Sequence, residues 1–174
     1  RLAWDIPAAD SFLLNQAIYR LPDDEFWMAK QIVNLTDEEI RAIVRSGQLS
    51  DRRAEEYLAD CLIERRNKIG RAAFHKVLPL DRFRFEGGAL KWTDLAAQHG
   101  YGGVGAVDVL WHRFDNAAGK AEPAGALDPD WSRGYWMAVL SARARPGQRI
   151  RVYVRGGAEP RVVGVDHEWP NRVR

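Results

Sequence analysis

The chain has one cysteine, Cys61, in 174 residues. An internal disulfide is excluded. The thiol falls on an apolar helical pattern, where a small core residue is expected rather than a reactive group. A lone cysteine does not settle the compartment: a reducing cytosol fits, and so does an export route without disulfides. No stretch approaches the roughly 18 consecutive apolar residues that a spanning helix needs, so no membrane span is expected. The first residues, RLAWDIPAADSF, lack a basic segment followed by an apolar one and do not read as a signal peptide. They also lack an initiator Met, which suggests a fragment or a processed chain. There is no GxSxG, no HExxH, no paired-carboxylate arrangement, no internal repeat and no low-complexity tract. The four histidines, His75, His99, His112 and His167, show no helical zinc spacing, and no second cysteine exists to help them. No catalytic residue, metal or cofactor is expected.

What remains is an ordinary globular composition, 46% hydrophobic and 29% charged, long enough to bury a core without staples. Its net charge of +2 is unevenly spread. Residues 133–174 hold nine arginines against Glu159, Asp166 and Glu168, a local charge of +6, and the rest of the chain carries −4. Such a tail suits an acidic partner, a phosphate backbone or an anionic surface; a merely solvated arginine face explains it equally.

The pattern implies an α+β protein: an N-terminal group of about three helices over residues 1–79, then a small antiparallel β-sandwich or open barrel over 80–174. Residues 1–21 read as an irregular arm across the helices. Pro22-Asp23-Asp24-Glu25 starts a helix that runs to about Asn34. Thr36-Asp-Glu-Glu39 has the capping-box form, and Gly47 suits a left-handed stop. Ser50-Asp51 opens a long helix whose apolar stripe is Ala54, Tyr57, Leu58, Cys61, Leu62, Ile69 and Ala73. Gly70 is the expected place for a bend or break in it.

After Pro79 the period changes to 2. Residues 82–92 alternate about Gly87-Gly88, a hairpin signal. Thr93 is expected to cap a short helical turn, Pro146-Gly147 to form a turn, and residues 116–132 to form a long loop. Ile150, Val152 and Val154 point inward from their strand, and Arg149, Arg151, Tyr153 and Arg155 point outward. The glycine-rich loop Gly100–Gly105 follows a helical turn and precedes a strand, the reverse of a dinucleotide loop. Asp115-Asn116 and Asp128-Pro129-Asp130 read as turns rather than calcium ligands.

Several fragments together carry a resemblance: FWMAKQIVNLTDEEIRAIVRSGQLSD, AEEYLADCLIERRNKIGR, LPLDRF, DLAAQHGY, RFDNAAGK and RVYVRG. They cover most of residues 26–165. The chain resembles the C-terminal region of a family of large uncharacterised bacterial proteins, many of them exported, whose upstream part looks like an atypical kinase. That upstream part carries a lysine-bearing strand and an Asp-Phe-Gly-like element, and neither matches any position here. The resemblance therefore implies no catalytic residue. It implies a helical element followed by an accessory β-domain, and a periplasmic or exported location.

Three groups of residues are candidates for contact. Arg65, Arg66, Lys68 and Arg71, with Glu64 beside them, form a basic cluster on the long helix, an anion or partner clamp or else salt bridges tying this helix to the β-domain or to Asp23, Asp24 or Glu25. Arg65 falls near the apolar stripe, and a partly buried arginine needs a partner. Arg149, Arg151 and Arg155 share one strand face. Trp131 and Trp169, in loops, suit an aromatic platform for a sugar or partner, or else tether the core, where Trp92, Trp111 and Trp136 are expected. A composite hydrolytic site about His99 or His167 would require a nucleophile beside the base, which the sequence does not indicate. The expected function is a non-catalytic interaction region of a larger bacterial protein, contacting its upstream domain or another protein. The alternative is a β-module for carbohydrate or an anionic polymer.

Overall fold

A computed structural model of the chain describes residues 22–124 and 130–168. The arm at 1–21, Trp169 and Asp128-Pro129 lie outside the described residues. The architecture is α+β, with N-terminal helices followed by antiparallel sheets. Helix α1 spans Pro22–Val33, α2 Asp37–Ser46 and α3 Arg52–Lys76. Strands β1 (Leu80–Glu86) and β2 (Ala89–Asp94) form a hairpin, and a short helix α4 (Leu95–Gln98) follows. Strands β3 (Val107–Asp115), β4 (Lys120–Pro123), β5 (Tyr135–Ala142), β6 (Arg145–Arg155) and β7 (Arg161–Glu168) make one sheet in the order β4-β3-β5-β6-β7.

Local chemistry accounts for the helix starts. The Thr36 hydroxyl accepts from the Glu39 amide while the Glu39 carboxylate accepts from the Thr36 amide, a complete capping box. Asp51 caps α3 by accepting from the Arg53 amide. Gly47 departs from the expected left-handed stop. It is right-handed, with φ −72°, and Gln48 takes the positive φ of 49° instead. The turn glycines Gly87 and Gly88 adopt φ 61° and 79°, as a tight hairpin requires. Asp94, rather than Thr93, caps α4: its carboxylate accepts from the amides of Ala97 and Val104.

Helix α3 is continuous over 25 residues, roughly 38 Å. Gly70 does not break it. The glycine is a contact point: a Cβ there would lie 2.5 Å from Val33 Cγ1 and 2.7 Å from the Tyr101 ring. The buried stripe is also turned from the expected one. Ala59, Gly70, Ala73 and Phe74 are buried, whereas Tyr57, Leu58 and Ile69 are exposed. The face that meets α1 and α2 is lined by small residues and half-buried Arg66 and Asn67, with Phe74 as its one large buried apolar side chain, so hydropathy marks only its end.

Two cores result. The first joins Phe26, Ala29 and Val33 of α1 to Ala73, Phe74 and Val77 and to Leu95 and Ala96 of α4. The helical core thus draws residues from beyond position 80. The second lies between the β1–β2 hairpin and one face of the five-stranded sheet. Leu140, Ile150 and Val152 are fully enclosed there, with Phe83, Leu90 and Trp92 of the hairpin packed over them. Lopsidedness is the main feature of this sandwich: two strands cover five.

Two irregularities tie the halves together. Strand β1 carries one extra residue between Asp81 and Arg84, and Arg82 there has φ 52°. That left-handed conformation costs about 1–2 kcal/mol for a residue with a Cβ. Strand β6 carries three extra residues, 146–148, opposite the Ser141–Ala142 step of β5. Pro146-Gly147 is therefore a bulge inside β6, and the chain turns earlier, at Arg143-Ala144. The bulge aims Arg145 at the C-terminus of α3. Its Nη1 donates to the carbonyls of Phe74 at 2.7 Å, His75 at 3.1 Å and Val77 at 3.4 Å. Gln148 Nε2 donates to His75 as well, at 2.9 Å. Helix C-termini leave carbonyls without intrahelical partners; here a cation from the sheet satisfies them.

Arg145→Met keeps the aliphatic stem and removes the donors, and is expected to lower unfolding free energy by about 2–3 kcal/mol in urea titration. Gly70→Ala is expected to lose stability by about 1–3 kcal/mol despite its better helix propensity, because the new methyl has no room.

Candidate functional site

The face of the five-stranded sheet turned away from the β1–β2 hairpin is the principal candidate. Residues directly opposite across an antiparallel pair share a face, so the register defines it row by row. Asp108, Ser141, Arg149 and Glu168 form one row, and Leu110, Val139, Arg151 and Asp166 the next. Then come His112, Met137, Tyr153 and Gly164, and finally Phe114, Tyr135, Arg155 and Arg161. Alternation on β6 explains the sidedness: Ile150, Val152 and Val154 are wholly buried on the hairpin side, so the intervening residues must face away.

The face has two characters. At one end Arg151 bridges to Asp166 at 3.6 Å and to Glu168, so its charge is balanced locally. In the middle Leu110 is 63% exposed beside half-buried Val139. At the other end Tyr153 lies against Gly164 and edge-on to Phe114, with ring centroids 4.9 Å apart. Arg155 and Arg161 stand directly opposite each other there, and neither has an ion pair among the described residues. Like charges opposed across strands are unfavourable. A groove of about 670 Å³, with Phe114, Lys120, Glu122 and Tyr135 among its lining residues, continues from this end. Arg149, Arg151 and Arg155 thus lie on one surface; Arg151 is paired, and Arg149 and Arg155 are exposed without an ion pair among the described residues.

The helical cluster is divided. Arg66 faces inward: it donates to the Leu35 carbonyl at 2.5 Å, to Asp37 at 2.6 Å and to Asn67, whose side chain also accepts from Tyr101. Lys68 pairs with Glu64 one turn away at 2.8 Å. Arg65 is exposed. Lys76 holds Glu25, a partner considered for Arg65. Of the three, Arg65 alone has no ion pair among the described residues.

Trp131 sits in an aromatic cluster, 4.5 Å from Phe85, 4.8 Å from Trp111 and 5.9 Å from Trp136 between ring centroids. The Trp136 indole in turn donates to the carbonyls of Asp130 and Arg133. Trp131 therefore wedges the hairpin tip to the sheet.

His167 packs against Phe26 with ring centroids 5.0 Å apart, at the seam of α1 and β1. His99 lines a cleft of about 170 Å³ between α1, the β1 bulge and α4, with Lys30, Gln31, Asn34, Asp81 and Arg82. No hydroxyl or thiol is among the lining residues. Sequence reasoning missed this cleft, since Arg82 carries no motif and its backbone conformation is invisible in a strand pattern. Among the described residues no three His, Cys, Asp or Glu side chains gather as metal ligands, and no helix is long and apolar enough to cross a membrane.

No family model, curated protein or solved structure matches the chain.

Burial, aided by the Arg66 and Arg82 guanidiniums, holds the His99 imidazole below its ordinary value of 6.5. A histidine depressed on folding contributes stability that is complete above the unfolded value and is lost as pH falls through it. His99→Gln is therefore expected to lose less stability than the parent chain between about pH 8 and about pH 5, measured by paired denaturation series.

Proposed function

We propose that the chain is a non-catalytic interaction region of a larger bacterial protein, and that it supports the kinase-like domain expected upstream. The observation that carries this reading is the composition of the sheet face turned away from the hairpin. An antiparallel sheet with one solvated face normally presents polar side chains on it. Here Leu110, Val139, Phe114, Tyr135 and Tyr153 occupy the face, with arginines on both sides of them. An apolar and aromatic centre with an arginine-rich rim is the composition of a protein–protein interface. The occupant that fits is a folded protein domain with acidic side chains near Arg155 and Arg161.

A second reading, a module for carbohydrate or an anionic polymer, draws support from the opposed Arg155 and Arg161 beside Phe114 and Tyr135. Cations interleaved with aromatic rings suit a phosphate or uronate backbone.

The deciding experiment captures the upstream segment, expressed separately, on the immobilised chain. Binding is expected in the micromolar range, on the order of 8 kcal/mol. Leu110→Lys and Arg155→Glu are each expected to weaken it at least about tenfold with little change in melting temperature, since both positions are exposed. Capture unaffected by either replacement overturns the assigned face, and nucleotide turnover by the purified chain overturns the non-catalytic reading. Binding to a polyanion that falls steeply with salt and is lost only in Arg155→Glu selects the second reading.

A further inference from the structure

We propose that the cleft between α1, the β1 bulge and α4 is a binding site for a small oxyanion-bearing ligand, a phosphate or a short carboxylate. It is separate from the sheet face and independent of the function proposed for that face.

Four polar side chains line the cleft without partners among the described residues: Gln31, Asn34 and Arg82 are exposed and His99 is half-buried. Gln31 comes from the last turn of α1 and Asn34 from the turn that follows it, and both line the cleft. Arg82 comes from the opposite wall and His99 from the end of α4. None of the four makes a hydrogen bond or ion pair among the described residues. Buried Val33 and Leu95 also line it, so the site has apolar wall as well as polar groups.

Charge selects the ligand. Asp81 is neutralised by Lys30 at 2.8 Å, and that ammonium keeps two further N–H donors. The guanidinium of Arg82 is then the unbalanced charge in the cleft. Arg66 lies near enough to act on His99 from the same sign. Two amides, an imidazole and a guanidinium are chiefly donors, and a guanidinium matches a phosphate or carboxylate in bidentate fashion. The volume of about 170 Å³ suits a group of that size rather than a nucleotide.

The backbone supplies the second observation. A bulge residue in the left-handed region is ordinarily glycine, and a bulge re-aims the side chain it carries. The chain places arginine there, with φ 52°, and thereby turns a guanidinium into the cleft wall. Local strain held at one residue is a mark of functional sites.

The test titrates the whole chain with inorganic phosphate and, separately, with malonate, at fixed ionic strength, following backbone amide shifts. Saturable shifts at Asn34, Arg82 and His99 are expected. Arg82→Gly suits the left-handed conformation, so its melting temperature should hold or rise while the affinity falls at least about tenfold. Asn34→Ala should weaken binding in the same direction. Tighter phosphate binding identifies a phosphoryl ligand, tighter malonate binding a carboxylate, and equal affinities support the shared oxyanion chemistry. Shifts that do not saturate, or that survive Arg82→Gly unchanged, overturn the site. Leu110→Lys should leave the titration untouched, so this site and the sheet face fail or stand separately.

Discussion

The fold depends most on one guanidinium. Arg145 leaves the sheet at the β6 bulge and closes the end of the long helix by donating to three of its last carbonyls. Without it, the C-terminus of α3 would face the β core with unsatisfied acceptors, and a buried orphan carbonyl costs about 1–3 kcal/mol. Its position also complements the negative end of the helix dipole. Val77 belongs to the first core and its neighbour Leu78 to the second, so this contact sits where the two meet. Lys30–Asp81 and the packing of His167 on Phe26 reinforce the same seam from the other side.

Much of this was legible in the residues. The capping box at Thr36, the Asp51 cap, the glycine hairpin and the alternation of β6 are local rules, and local rules survive folding. The misreadings have a common cause. The stripe on α3 was expected to run through the large apolar side chains Tyr57, Leu58 and Ile69, but the contact face is built from Ala59, Gly70, Ala73 and Phe74, with Arg66 and Asn67 donating and accepting within it. Small residues permit close approach and carry little hydropathy signal. Gly70 looked like a weak point for the same reason, although its missing side chain is what admits Val33 and Tyr101.

The bulges were illegible for a different reason. Whether Pro146-Gly147 turns the chain or kinks a strand is decided by register with β5, which is a long-range fact. Arg145 and Arg82 depend on those bulges for their direction, so neither stood out among many arginines. The residues that did stand out have mixed standing: Arg66 and Trp131 are occupied with internal contacts, and Arg155 faces outward beside Arg161. A basic residue count cannot separate these cases, because an arginine that fastens two elements and one that awaits a ligand are the same letter.

The closure of α3 by Arg145 also has a consequence for the order of events in biosynthesis. The capping residue lies 71 positions after Phe74. While the chain is being made, the helix is complete long before its fastener has emerged. Ordering a connection of that length costs entropy before the contact rewards it, which places the join of the two halves late in folding. Any version of this chain that stops short of β6 would carry a finished helix with an open end, and its exposed carbonyls would be satisfied by water instead of by the sheet.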